Sequence, residues 1–412
     1  MSEIHLGSSG QQERRQAFAD GALVVRSRKG VHPSEEALLN ALPKGRGGAA
    51  LVANTTETLA GLALKALNPE AVVHCHFDDT WDLEAAQQTA GQHPSLPVTL
   101  AVAPDPPEGP YDLVVLPFTA TGVADLVHER LAFALKRLTP NGLLFTSSDN
   151  RNDRFLRDAV IGLFGSATTV PGPTRRSGVA YVARRPKEPK LRERDFRRTF
   201  TVKDVGAPLV GAPLGAGTSP APTFVSRPGV FCHGRLDAGT RALLAALDVG
   251  EATRILDLGC GVGVLGLVAA LRCPSARVTL VDSHARAIEC TQANAASLGL
   301  QDRCTAVLSA DALRDVAPGP VLSEAEGYDL VLSNPPYYGN YRIAEMFLDT
   351  ATRVLLPGGR IVLVTRGPKW FADAMEGRFS DLTTCESQGY WVIQATQPAP
   401  AEGKLTCPTL RM

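Results

Sequence analysis

The sequence predicts an α/β protein built from two tandem, doubly wound domains with mostly parallel sheets, the first a degenerate copy of the second. Three observations carry this. Strand-sized apolar runs alternate with helix-length segments of 3.6-residue periodicity along most of the chain. The alternation happens twice with the same landmarks: Tyr111-Asp-Leu-Val precedes a Pro140-x-Gly stop by 29 residues, and Tyr328-Asp-Leu-Val precedes a Pro357-x-Gly stop by the same distance. A glycine-rich turn, Asp257-Leu-Gly-Cys-Gly-Val-Gly263, stands only in the second half.

In order, residues 1–20 read as a frayed arm, Ala22–Arg26 as a short strand and His32–Leu42 as a helix entered through Pro33. Strands are expected at Ala49–Ala53, Ala71–His76, Val98–Val102, Asp112–Leu116 and Leu143–Thr146, with helices over Thr55–Leu67, Trp81–Ala90 and Asp125–Leu138. The second half repeats the order. Strands are expected at Arg254–Asp257, Arg277–Val281, Cys304–Leu308, Asp329–Ser333 and Arg360–Val364, with helices from the glycine turn to Leu271, over Ala285–Leu298 and over Ile343–Leu355. The domains are drawn at 1–186 and 224–412. The 187–223 linker between them is basic first and Pro/Gly/Ala-rich after Gly206.

The 412 residues suffice for two cores and a linker, and 44% hydrophobic with 20% charged content suits a water-soluble globular chain. Apolar runs stay at strand length, which excludes a membrane span. The polar stretch Met1–Arg15 lacks the apolar core of a signal peptide, so a cytoplasmic location is expected. Eight scattered cysteines with no Cys-x-x-Cys pair read as buried thiols rather than a metal or disulfide set. The formal net charge is zero, but nine Lys/Arg against three acids crowd between Arg184 and Lys203. That strip is either a solvated linker or a phosphate-contacting surface.

Chemistry concentrates where the two copies differ. At an offset of 205 residues the glycine turn faces Val52-Ala-Asn-Thr-Thr-Glu-Thr58, so the acid and all three turn glycines are absent from the first copy. Of the nearby glycines, Gly61 alone matches, facing Gly266. Aligned on Tyr111 and Tyr328, an offset of 217, Ser333-Asn-Pro-Pro336 faces Leu116-Pro-Phe-Thr119. The first copy therefore keeps the fold and loses the ligand site. In the second copy the strand at 329–333 must stop before two prolines. The stop leaves the amide of Asn334 and nearby carbonyls at the sheet's carboxyl edge, where open α/β sheets bind ligands. Acceptors beside the ring of Tyr337 suit a planar amino group. Three acids end successive strands: Asp257, Asp282 and Asp311.

The spacing Asp257-x-Gly259-x-Gly261-x-Gly263 together with Asn334-Pro335-Pro336-Tyr337 resembles the "small-domain" class I S-adenosyl-L-methionine (SAM)-dependent methyltransferases, whose domains are Rossmann-like. Within them, Val230-Phe231 with Leu236-Asp237-Ala-Gly-Thr240 resembles the RsmC/RlmG family of rRNA guanine-N2 methyltransferases, which also pairs a degenerate N-terminal copy with an active one. The resemblance implies SAM held by the glycine turn, with Asp257 near its ammonium group and Asp282 at the ribose. It places Asp311, with Ala312 beside it, at the adenine, and adds Phe231, Asp237 and Thr240 to the cofactor side. It implies methyl transfer to a guanine N2 amine held by Asn334 and the Pro335 carbonyl, with Pro336 shaping the turn and Tyr337 stacked on the base. The sulfonium is already activated, so no metal is expected. The expected partner is ribosomal RNA or a ribosomal subunit, met by a monomer, with the first copy available for RNA docking. One departure stands out: Tyr337-Tyr-Gly-Asn-Tyr-Arg342 replaces the family's Phe and the loop after it. A protein glutamine-N5 or adenine-N6 methyltransferase, and a non-catalytic SAM- or RNA-binding assembly factor, are the alternatives.

Overall fold

The computed structural model describes residues 2–6, 14–18, 21–27, 29–53, 58–203, 221–310, 327–336 and 341–399. The chain divides into two compact units, one of residues 1–197 with 227–229 and 284–286, the other of the remaining residues from 198 onward.

The first unit opens with a three-stranded sheet, β1 (Ser2–Leu6), β2 (Arg14–Phe18) and β3 (Leu23–Ser27), in the order β1-β3-β2. This corrects the expected frayed arm. Ile4, Leu6 and Phe18 are buried, and their partners on β3 supply the ladder. Five-residue strands whose partners lie further along the chain leave little periodicity to read. The elements α1 (Pro33–Ala41), β4 (Gly48–Ala53), α2 (Leu59–Leu67), β5 (Ala71–Phe77), α3 (Thr80–Gly91), β6 (Thr99–Val102), β7 (Tyr111–Phe118), α4 (Ala124–Arg137), β8 (Leu138–Ser148), α5 (Arg154–Phe164), β9 (Thr168–Pro171) and β10 (Val179–Arg184) follow. Their seven strands order as β6-β5-β4-β7-β8-β10-β9.

The second unit begins within the expected linker. Arg198-Thr-Phe-Thr201 forms β11, paired with β12 (Thr223–Ser226), because Phe200 stacks on Phe224 at 5.9 Å between ring centroids. Then come α6 (Ala238–Ala246), β13 (Arg254–Leu258), α7 (Val264–Arg272), β14 (Arg277–Asp282), α8 (Ala285–Ser297), β15 (Cys304–Leu308), β16 (Tyr328–Ser333), α9 (Arg342–Val354), β17 (Leu355–Thr365), α10 (Pro368–Met375), β18 (Ser380–Ser387) and β19 (Tyr390–Thr396). The sheet orders as β15-β14-β13-β16-β17-β19-β18, the same topology as the first. The first five strands are parallel and the last pair is an antiparallel hairpin, one strand of which inserts beside β17. A dinucleotide-binding sheet with the order 3-2-1-4-5-6 lacks that insertion.

The repeated Tyr-Asp-Leu-Val has a structural reason in both units. Register shifts occur at Tyr111/Leu113 and at Tyr328/Leu330. The Asp between them turns onto the start of the first central strand. Asp112 Oδ2 accepts from the Ala49 N–H at 3.0 Å, and Asp329 Oδ2 accepts from the Thr253 and Arg254 N–H groups at 2.8 and 2.9 Å.

Helices α2 and α7 both start from a residue in the left-handed region, Thr58 at φ 55° and Gly263 at φ 84°. A β-branched residue there is strained, whereas glycine is not. The matched Gly61 and Gly266 share a packing role. A Cβ on Gly61 would stand 2.4 Å from Cys75 Sγ, and one on Gly266 would stand 2.8 Å from Leu280 Cδ2. Both pairs are one helix meeting the second strand of its own sheet.

All seven cysteines among the described residues are free thiols. Five are buried as expected, but Cys232 is half-buried and Cys385 exposed. Among the described residues no helix is long and apolar enough to cross a membrane.

Candidate functional site

The carboxyl edge of the second unit's sheet gathers most of the expected residues. Strand β13 ends on a tight turn because Gly259 and Gly261 adopt φ of 69° and 57°. The N–H groups of Gly259 and Cys260 both donate to the Val281 carbonyl at 2.9 Å, which ties the turn to β14. From the other side α8 holds the turn: Thr291 Oγ1 donates to the Gly261 carbonyl at 2.9 Å and Asn294 Nδ2 to the Val262 carbonyl at 2.9 Å. These two buried polar residues, three apart on one helix face, support the site and were not anticipated from the sequence. Their signal in the sequence is a polar pair on the inward face of a helix.

Asp282, at the end of β14, accepts from the Gly261 N–H through Oδ2 at 2.8 Å. Asp257 lies deeper, fully buried, and its Oδ2 accepts from the Gly266 N–H at 2.8 Å. Its Oδ1 is buried and has no hydrogen-bond partner among the described residues. Burial pushes the Asp257 carboxyl up to about 7. The Gly266 N–H opposes the rise, and the negative charge of Asp282 adds to it. Gly263 demands glycine for its φ and for space, since a Cβ there would meet Leu267 and Thr291 at 3.0 Å. Gly261 differs: nothing stands within 4 Å of where its Cβ would be.

Strand β16 stops at Ser333, whose Oγ donates to the Leu258 carbonyl at 2.9 Å. Asn334 follows outside the ladder. Its Nδ2 donates to Asp237 Oδ2 at 2.8 Å and to Thr240 Oγ1 at 3.0 Å. Asp237 is also the N-cap of α6, accepting from the Thr240 N–H at 2.9 Å. Thus Asp237 and Thr240, expected on the cofactor side, are placed on Asn334. With both amide hydrogens held by the protein, the Asn334 amide presents Oδ1, an acceptor, as its other polar end. Gly239 packs tightly here: a Cβ would come within 3.0 Å of Asp237 Oδ2, 3.2 Å of Tyr390 Cε1 and 3.4 Å of Asn334 Oδ1.

A cleft brings together Phe231, Asp237, Thr240, Gly259, Gly261 and Asn334. Phe231 is 60% exposed, an apolar surface at the cleft's rim. Pro335 is buried and Pro336 half-buried beside it. Tyr337, Asp311 and Ala312 lie outside the described residues. The glycine turn and the orphaned Asp257 Oδ1 fit a ligand that brings backbone-close contact and a positive charge, as SAM does. Among the described residues no cluster of His, Cys, Asp or Glu has metal-binding geometry.

The matching positions of the first unit are filled differently. By strand register Val52 stands for Asp257 and Phe77 for Asp282, and both are core residues. Strand β7 runs on through Pro117 and Phe118, paired with Ser147 and Ser148 of β8, where β16 has already ended.

Residues 221–394 match the family described as Methyltransferase small domain. The ribosomal RNA small subunit methyltransferase C of Pseudomonas putida (strain W619) is 38% identical over 178 residues, 42% of this chain and 50% of that protein. The protein of that name from Pseudomonas aeruginosa (strain UCBPP-PA14) is 35% identical over 176 residues, with the same shares. The chain spans about half the length of these relatives. Among solved structures, a T. thermophilus 16S rRNA N2 G1207 methyltransferase (RsmC), in complex with AdoMet and guanosine, superposes with a TM-score of 0.69 at 24% identity. The match covers 89% of this chain and 92% of that one, so the two-unit fold is shared across nearly the whole length.

Proposed function

We propose that the second unit is a SAM-dependent methyltransferase acting on the exocyclic N2 amine of a guanine in small-subunit ribosomal RNA. The observation that carries the reading is the fixed amide of Asn334, its hydrogens donated to Asp237 and Thr240 beside the glycine-rich turn. The match of residues 221–394 to the Methyltransferase small domain supports it, as do the likeness of 178 residues to a small-subunit rRNA methyltransferase and the guanosine bound in the T. thermophilus protein.

When bound, SAM supplies a methyl group on a positively charged sulfur. Asp282 and the Gly259–Gly261 backbone would hold it, with Asp257 behind them answering its positive charge. Asn334 Oδ1 and the Pro335 carbonyl accept the two N–H hydrogens of the substrate amine. That aims the nitrogen and favours the localised lone pair needed for attack, while the acceptors stabilise positive charge developing on the amine. Asp237 and Thr240 keep the amide from flipping, which would present N–H groups to an N–H donor. A guanine within a duplex must first leave the stack.

The first unit, on this reading, binds no SAM, because Val52, Phe77 and the continuing strand β7 occupy the equivalent places.

Incubation of the full chain with tritiated SAM and bacterial small ribosomal subunits, followed by separation of RNA from protein, tests the reading. Label in the RNA is expected. Label confined to protein would move the substrate to a glutamine amide.

A further inference from the structure

We infer that Arg366 is a phosphate anchor for the nucleic-acid substrate, set one strand away from the amine-holding Asn334; the inference rests on the RNA-methyltransferase reading above. Arg366 is the first residue beyond β17, the strand that pairs with β16 through Ser333 and Leu363. The cation therefore stands at the same carboxyl edge as Asn334, on the adjacent strand.

Arg366 is exposed, yet it is held in place. Its Nη2 donates to the Tyr390 hydroxyl at 2.8 Å, and its guanidinium carbon lies 4.8 Å from the centre of the Tyr390 ring. An exposed arginine normally keeps its rotamer freedom; here a buried aromatic ring has already removed much of it, so less ordering remains to be done on binding. Tyr390 is also the link to the reacting edge. Its Cε1 and Asn334 Oδ1 both lie within 3.4 Å of the point a Cβ on Gly239 would occupy. The tyrosine that seats the arginine thus packs against Gly239, as the Asn334 amide does.

Guanidinium carries five N–H donors in a fixed fork matched to phosphate oxygens. One goes to Tyr390, and among the described residues no carboxylate pairs with Arg366. The nearby Lys369 is different, since Asp373 takes its ammonium at 2.8 Å. Trp370 is occupied too: the ring of Tyr341 stacks on it at 4.3 Å between centroids. Arg366 is therefore the cation of this loop that remains directed to a ligand. A guanine seated at Asn334 in RNA brings backbone phosphates with it; a glutamine side chain brings none. The anchor would thus favour a nucleic-acid substrate over a protein amide.

The test compares the full chain with Arg366→Gln, Arg366→Lys and Tyr390→Phe, using an in-vitro transcript of bacterial small-subunit rRNA and SAM. Arg366→Gln should weaken RNA binding about tenfold. It should also lower the slope of log affinity against log salt by about 0.7, as one phosphate contact is lost. The effect should fall on KM for RNA rather than on kcat, with SAM affinity retained. Arg366→Lys keeps the charge and should keep the slope while losing part of the affinity, and Tyr390→Phe should show a smaller loss of affinity. Wild-type affinity and slope in Arg366→Gln, from a protein that still methylates the transcript, would overturn the anchor and leave the RNA reading standing. Loss of SAM binding in that variant would make Arg366 structural and overturn the anchor as well. A wild-type chain that labels protein and never RNA would overturn both.

Discussion

Asn334 shows how a single side chain can be aimed. Its Nδ2 hydrogens go to Asp237 and Thr240, which lie 97 and 94 residues earlier in the chain. Replacement of Asn334 by Ala should leave SAM affinity near wild type and lower methyl transfer by about 10²–10³-fold, the scale of losing one preorganised electrostatic partner, as read by isothermal titration beside single-turnover kinetics. Asp237→Ala should combine a cap loss of about 1 kcal/mol in stability with a fall in kcat, since it frees both α6 and the Asn334 amide. Asp257 makes a prediction about pH. Its folded pKa is raised to about 7, so the folded state keeps a proton that the unfolded state has already released. Its contribution to stability is therefore greatest below pH 4, falls as pH rises toward 7, and is flat above. Asp257→Asn should remove that part of the pH dependence in denaturation curves, and SAM binding below pH 7 should release a proton. Asn334 and the strand-end acids were legible in the sequence because strand ends and prolines are local signals. The Asp237–Asn334 contact and the Arg366–Tyr390 pair were not, because nothing local marks which distant residues a sheet edge brings together.

The elements carry the record of the duplication. Gly61 in α2 and Gly266 in α7 face the second strand of each sheet at distances that leave no room for a methyl group. The glycine retained in the first copy therefore serves packing, not a ligand. Gly61→Ala should destabilise the protein by about 1–3 kcal/mol in chemical denaturation without altering SAM affinity. Gly266→Ala should cost a similar amount and also weaken SAM binding, because the new Cβ would crowd Asp257 at 3.1 Å. The basic strip expected between Arg184 and Lys203 is partly spent within the protein. Arg194 pairs with Asp125 and Arg197 holds the Asp195 carboxyl down to about 2, while Lys136, from outside the strip, takes one of its acids, Glu193. Charge counting along the sequence could not see those partners. Nor could periodicity find β1, β2 and β11, whose burial depends on strands elsewhere.

At the scale of the whole molecule, the matched strand orders and the paired register shifts after Tyr111 and Tyr328 make the two units copies of one plan. The duplication was readable from landmark spacing because helix and strand lengths are conserved between copies of a fold. The loss of one site was readable from the missing glycines, and the register adds its physical form: core residues Val52 and Phe77 at the positions of the two acids. Titration of the intact chain with SAM should accordingly give one site per chain; two would contradict the account. The central claim is that this one site methylates guanine N2 through Asn334. It is tested most directly by digesting treated small-subunit rRNA to nucleosides and identifying the methylated product by mass spectrometry, for wild type and Asn334→Ala in parallel. The wild type should yield N2-methylguanosine and the variant none. A different methylated nucleoside, or equal N2-methylguanosine from both proteins, would contradict it.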